Sequence, residues 1–186
     1  DVFFAIKGKR INGNKFVSEV FKKKSSLAIV NRFNKNQPLS KQIKIKNTLN
    51  FLSQCSSIFR ENVNAKIISI TGSCGKTTLK EMIGHTLKSI SKTTYSPKSF
   101  NNKYGVPLSL FDLKQDDKFG VLEVGMDKKG EIDNLTKIIR PDLGVITNIS
   151  YAHAKNFKSI NKIAEAKAEI MNNIKKGGIV VLNMDD

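Results

Sequence analysis

No apolar stretch in the sequence approaches the roughly 20 residues that a membrane-spanning helix needs, so it predicts no transmembrane segment. The opening Asp1-Val2-Phe3-Phe4-Ala5-Ile6 has no basic stretch before it and no cleavage-type site after it, which is not a signal-peptide pattern. Cysteine is scarce. Cys55 and Cys74 are too few for a disulfide framework and predict a reducing, cytoplasmic setting. Negative charge is scarce as well, with 16 Asp and Glu against 32 Lys and Arg, a formal charge of +16. Arginine is rarer still, 4 residues against 28 lysines. Specific readers of phosphates and bases rely on the bidentate Arg fork, and these lysines are spread along the whole chain. With 18 Asn and 21 Ile beside them, the excess reads as AT-rich coding and not as a nucleic-acid surface. An anionic substrate stays compatible with it. Internal repeats and low-complexity tracts are also missing.

What is present suffices for a core. Hydrophobic residues make up 39% and charged residues 26% of 186 residues, enough for one or two globular domains. The first sixty residues read as a small α/β unit. Strands are expected at Val2–Ile6 and Leu27–Val30, and a helix carries Phe16, Val17, Val20 and Phe21. Asn34–Ser40, with Pro38, is a loop, and Leu49, Leu52, Cys55 and Phe59 mark a second helix. The polar, aperiodic Glu61–Ala65 separates a domain of residues 1–62 from one of 63–186. The second domain alternates strand and helix. Strands are predicted at Lys66–Thr71, Phe119–Val124, Leu143–Asn148 and Gly178–Asn183, with helices at Lys76–Ile90, Gly130–Ile139 and Ser159–Ile174. Short, continuous apolar runs are the mark of strands buried on both faces. The fold class is therefore α/β, a mostly parallel, doubly wound sheet with its ligand at the carboxyl ends of the strands.

The strongest local signal is Thr71-Gly72-Ser73-Cys74-Gly75-Lys76-Thr77-Thr78, a strand running through a glycine-bearing turn into a helix. Such a turn lets backbone N–H groups converge on phosphate, the helix start adds positive potential, and Lys76 reaches the outer phosphates. Thr77 supplies the hydroxyl that usually ligates Mg²⁺ in such loops. The common spacing would put a glycine at Ile70, whereas the first one here is Gly72. Glu123 closes a buried strand, where a carboxylate is costly unless paired or bound to metal. His153 follows the Leu143–Asn148 strand, and beside Glu123 and Thr77 it makes a Mg²⁺ site reasonable. His85, at the margin of an α-helical stripe formed by Leu79, Met82, Ile83, Thr86 and Ile90, reads as structural or surface. On the Ser159–Ile174 helix, Lys167 falls in the middle of the apolar face, while Glu165 and Glu169 point away. Such a lysine either lays its stem on the core and keeps its charge wet, or has a depressed pKa that opens it to covalent modification.

With these residues in hand, the chain resembles the Mur ligases, and within them the branch that joins D-alanyl-D-alanine to UDP-N-acetylmuramoyl-tripeptide. The resemblance rests on five blocks in order: Thr71–Met82; Phe100-Asn101-Asn102-Lys103-Tyr104-Gly105-Val106-Pro107-Leu108; Leu122–Gly125 with Gly130-Glu131-Ile132; Thr147–Ile149 through His153; and Ala166-Lys167-Ala168-Glu169-Ile170. Asp1–Gly8 is similar to the family's amino-terminal, UDP-binding domain. The resemblance implies ATP and Mg²⁺ as cofactors, with Lys76, Glu123, His153 and Lys167 as catalytic residues. Gly72, Ser73, Cys74, Gly75, Lys76, Thr77, Thr78, Asn102 and Asn148 would bind nucleotide. Thr77, Glu123, His153 and a carbamylated Lys167 would bind metal. It implies a monomer with no nucleic-acid partner. It further implies a longer protein with another domain after Asp186 and more chain before Asp1, so that the 186 residues alone lack ligase turnover. A sister ligase adding a single amino acid, or a nucleotide-binding module without chemistry, are the alternatives.

Overall fold

Short apolar runs pair as parallel strands in two separate sheets of the computed structural model, which describes residues 1–8, 10–151 and 156–185. The chain divides into two units, residues 1–55 and 56–186. The first holds β1 (Val2–Phe4), β2 (Leu27–Val30) and β3 (Gln42–Lys44) in that spatial order, all parallel. A 3-10 turn at Gly13–Phe16 leads into α1 (Val17–Lys22), and α1 packs its Val17 and Phe21 on Ala5, Ala28 and Val30. β1 is shorter than its apolar run, although the Ala5 amide still bonds Ile29 O at 2.8 Å. β3, a polar triplet, follows the expected loop. Its Gln42 amide donates to the carbonyls of Asn34, Gln37 and Pro38 and so closes that loop. α2 (Thr48–Glu61) runs across the division at residue 55, and its end lies beside the boundary expected at 62.

The second unit is the doubly wound sheet. Its strands are β4 (Lys66–Thr71), β5 (Thr93–Tyr95), β6 (Phe119–Glu123), β7 (Leu143–Ile146) and β8 (Ile179–Leu182), all parallel in the order β5-β6-β4-β7-β8. Its helices are α3 (Lys76–Ile90), α4 (Gly105–Phe111), α5 (Glu131–Ile139) and α6 (Ile160–Ala168), the last continuing as a 3-10 turn over Glu169–Asn173. One face of the sheet, with Ile70, Val121 and Val145, is covered by Leu79, Ile83 and Leu87 of α3. The other, with Ile67, Leu122, Val124 and Ile146, is covered by Val106 and Leu110 of α4, Ile132, Leu135 and Ile139 of α5, and Ile163 and Ala166 of α6. Each fully buried isoleucine or leucine here is worth roughly 1.5–3 kcal/mol over an exposed one. β4 comes first in sequence yet lies in the middle, with the strand order reversing around it. Its carboxyl end is therefore the crevice where such sheets bind ligands.

Three sequence expectations change. Met82 and Ile90 were placed on the apolar stripe of α3, but they are exposed, and the helix instead buries Lys80 and Gly84. Gly84 is there because the ring of Tyr95 lies where a Cβ would go, 2.6 Å from it. Glu169 was expected to point away from the core, yet it is buried. It accepts from the Gly130 amide at 2.7 Å and the Asp133 amide at 3.2 Å, satisfying donors in the first turn of α5 that have no partner within the helix. The predicted 159–174 helix is shorter and tightens at Glu169, where its phase changes from the α period.

The amino end of the sheet is tied by one carboxylate. Asp142 accepts from the Ile67 amide at 2.9 Å and pairs with Arg60 at 3.4 Å and with Lys66 and Lys175 at 3.3 Å each. Burial pushes its acid constant up, but the Ile67 amide and the two lysines outweigh burial and hold it below the ordinary aspartate value. Arg60, only 2% exposed, also donates to Ile139 O and Val63 O, both at 2.8 Å.

Candidate functional site

The site is built where β4 runs out. The β4–β6 register sets Ile70 opposite Glu123, and β4–β7 sets Thr71 opposite Ile146, so both neighbouring strands deliver their carboxyl ends to one turn. That turn, residues 72–75, passes close to β7. Gly72 sits at φ +145°, and a Cβ there would lie 1.8 Å from Thr147 Oγ1, so only glycine fits. The chain after β7 then grips the turn. Asn148 Oδ1 accepts from the amides of Ser73 at 3.1 Å and Cys74 at 2.9 Å. Thr147 Oγ1 donates to Cys74 O at 2.6 Å, while Ser73 Oγ both donates to Ser150 O (3.0 Å) and accepts from its amide (2.8 Å). Gly75, left-handed at φ +75°, starts α3.

Lys76, in the first turn of that helix, folds back over the turn and donates to Gly72 O at 2.8 Å. Thr77 Oγ1 donates to Glu123 Oε2 at 2.7 Å, and Asn101 Nδ2 donates to Glu123 Oε1 at 2.7 Å. Glu123 is 1% exposed, and no cation among the described residues pairs with it. Among the described residues this carboxylate is held by a hydroxyl and an amide, and a buried charge without a counter-charge costs free energy that a bound cation would recover. Two hard oxygen donors in contact fit Mg²⁺, which needs only one or two protein ligands beside phosphate and water. Among the described residues no three His, Cys, Asp or Glu converge as a metal cage.

Lys167 lies in the core at 2% exposure. Burial, reinforced by the positive charge of Lys76 and partly offset by Cys74, brings its ammonium down to about 8. An amine with such a constant is partly neutral near pH 7 and can act as a nucleophile.

The expected residues thus fall into groups. Gly72, Ser73, Cys74, Gly75, Lys76, Thr77 and Thr78 form the turn and the head of α3, with Glu123, Asn148 and Lys167 around them. Asn102 does something else: its Oδ1 accepts from the Tyr104 and Gly105 amides at 3.0 and 3.1 Å and caps α4. His153 lies outside the described residues. His85 stands on the exposed side of α3 against the Tyr95 ring, 5.5 Å between centroids. Two residues were missed. Asn101, next to the one singled out, is the amide that reaches Glu123. Lys80 is wholly buried, and its Nζ reaches Ser96 O at 2.7 Å, Lys98 O at 2.6 Å and Glu81 Oε1 at 2.7 Å.

Comparison with known proteins gives a consistent result. The Mur ligase middle domain matches residues 70–186. The UDP-N-acetylmuramoyl-tripeptide--D-alanyl-D-alanine ligase of Buchnera aphidicola is 37% identical over 99% of this chain and 40% of its own. A crystal structure of MurF from Acinetobacter baumannii superposes with a TM-score of 0.90 at 36% identity, covering 98% of this chain and 40% of that one. MurF ligase from Thermotoga maritima in complex with ADP superposes with a TM-score of 0.89 at 32% identity, over 100% of this chain and 43% of that one. The chain spans about 40% of the length of the relatives it matches.

Proposed function

The chain belongs to the Mur ligase family, and from that premise we propose that it carries the nucleotide site of an ATP-dependent ligase joining D-alanyl-D-alanine to UDP-N-acetylmuramoyl-tripeptide, in the cytoplasm. Residues 63–186 would serve as the ATP-binding domain and residues 1–62 as the domain for the UDP end of the substrate. In the latter, Asn12 Oδ1 accepts from the Asn14 amide at 3.1 Å, and the Asn14 side chain donates to Asn31 at the end of β2. The contact between Thr77 and Glu123 at the head of α3 is the observation that carries the reading.

In this mechanism the amides of the 72–75 turn and Lys76 cradle the outer phosphates and stabilise charge that grows during transfer. The terminal carboxylate of the tripeptide attacks the γ-phosphorus, the bond to the β-phosphate oxygen breaks, and ADP leaves with that electron pair. The free amine of D-alanyl-D-alanine then attacks the acyl carbon of the acyl phosphate. It loses a proton, and inorganic phosphate departs. Thr77 and Glu123, with His153, would hold Mg²⁺, which when bound neutralises charge on the phosphate oxygens. Asn101 keeps the Glu123 carboxylate turned toward Thr77. The partly neutral Lys167 amine can add to carbon dioxide and release a proton, giving a carbamate whose oxygens would join the cation's ligands.

The test is phosphate release by the protein extended to the full length of its relatives, with MgATP, UDP-muramoyl-tripeptide and D-alanyl-D-alanine present and each omitted in turn. Release that needs all three is expected. Release supported by a single amino acid in place of the dipeptide would move the protein to a sister activity, and the absence of release under every condition would overturn the ligase reading.

A further inference from the structure

We propose that Lys80 is a positioning residue for the divalent cation: it fixes the segment 96–101 that presents Ser99 and Asn101 to Thr77 and Glu123. The inference rests on the nucleotide-site reading above and assigns a role to a residue that touches neither phosphate nor metal.

An ammonium group has three donors and no acceptor, and burying one is costly unless all are used. Lys80 is 0% exposed, and its Nζ meets three oxygens: Ser96 O, Lys98 O and Glu81 Oε1. Two of these belong to the segment after β5. Ser96 is itself tied to β6, its amide donating to Val121 O at 2.9 Å and its Oγ accepting from the Glu123 amide at 3.3 Å. Lys98 adopts a left-handed φ of +49°, a turn a lysine takes at some cost. Lys80 holds the carbonyl of that turned residue. Directly beyond it, Ser99 Oγ lies 3.3 Å from Thr77 Oγ1, and Asn101 Nδ2 lies 2.7 Å from Glu123 Oε1. Asn101 O also accepts from the Gly125 amide at 2.7 Å, so the segment is pinned to both sides of Glu123. A residue needed only to fill space under α3 would be apolar. A buried ammonium, with two of its donors spent on the segment that aims the Glu123 carboxylate and the third on Glu81 of its own helix, sets the geometry of the two oxygens a cation would share. Partners that orient metal ligands in this way are typically worth 10–100-fold in metal affinity.

The test is calorimetric binding of a non-hydrolysable ATP analogue to the protein extended to the full length of its relatives, once with Mg²⁺ and once with EDTA. The readout is the ratio of the two affinities. In Lys80→Met that ratio is expected to fall about tenfold or more, with the EDTA affinity, set by the turn amides and Lys76, within about twofold of the parent. Glu81→Gln weakens the same clamp without opening a cavity, and its ratio should fall in the same direction by a few-fold. It decides the matter if Lys80→Met does not fold. An unchanged ratio in the folded variants, or an equal loss with and without Mg²⁺, would overturn the positioning role. A parent chain that binds the analogue no better with Mg²⁺ would instead overturn the nucleotide-site reading itself.

Discussion

Glu123 and Asp142 stand at opposite ends of the same parallel sheet, both largely buried, and the chain surrounds them with different chemistry. Asp142 meets Arg60, Lys66, Lys175 and the Ile67 amide, so its charge is answered several times over. Glu123 meets one hydroxyl and one amide. In a chain with twice as many bases as acids, a buried carboxylate with no cation among the described residues is a specific arrangement, and it is found where three strands deliver their carboxyl ends. The difference separates a carboxylate that fastens strands together from one that, in the proposed function, would hold an ion.

The comparison is broken most strongly at the amino end. Asp142→Ala leaves the Arg60 guanidinium buried without its counter-charge and should cost about 3 kcal/mol in urea unfolding near neutral pH. Because the native acid constant of Asp142 is lowered, its contribution is present above the ordinary aspartate value and is lost as pH falls through the native one. The penalty should therefore shrink on acidification.

A nearly equal effect of the opposite kind is expected at the carboxyl end. Gly72→Ala forces a Cβ onto Thr147 Oγ1 and should weaken nucleotide binding by at least about tenfold, or about 1.4 kcal/mol, measured by titration. Unfolding of that variant reports strain on the order of 1–3 kcal/mol.

How far these two ends could be read from sequence alone depended on the kind of residue. Continuous apolar runs made β4, β6, β7 and β8 legible to within two residues, and the glycine-lysine turn announced α3. β5 was missed because Thr93-Thr94-Tyr95 has neither a run nor an alternation. α4 was missed because its seven residues are apolar on nearly every side and hold Pro107, which hides the helical period. At the site, Gly72–Thr78, Glu123 and Lys167 were legible because each breaks a local expectation for its position. Lys80 was not, since an unremarkable lysine on a helix reads as solvated. Nor was the partnership of Asn101 with Glu123, which depends on how the loop after β5 crosses to β6. Asp142 carries no local signal in the sequence, because its cations come from segments up to 82 residues away.

Two smaller effects sharpen the contrast. Lys167 has its acid constant depressed to about 8, so charging it opposes folding below that value and the cost fades as pH rises from there toward the ordinary lysine value. In carbon dioxide-free buffer, Lys167→Met should raise the melting temperature at pH 7 and lose most of that advantage near pH 10. Lys66, with its side chain 70% exposed, is one of three cations on Asp142. Lys66→Met should cost under about 1 kcal/mol in urea unfolding, because a solvated member of a shared pair contributes little.

The most direct test sets the two carboxylates side by side: the affinity of an ATP analogue with and without Mg²⁺ in Glu123→Gln and in Asp142→Asn. The account predicts that Glu123→Gln loses the Mg²⁺ enhancement and keeps its stability within about 1 kcal/mol, because glutamine can still accept from Thr77 or Asn101. Asp142→Asn should keep the enhancement and lose stability. Full Mg²⁺ enhancement in Glu123→Gln would contradict the account, leaving Glu123 as another structural anchor of the sheet.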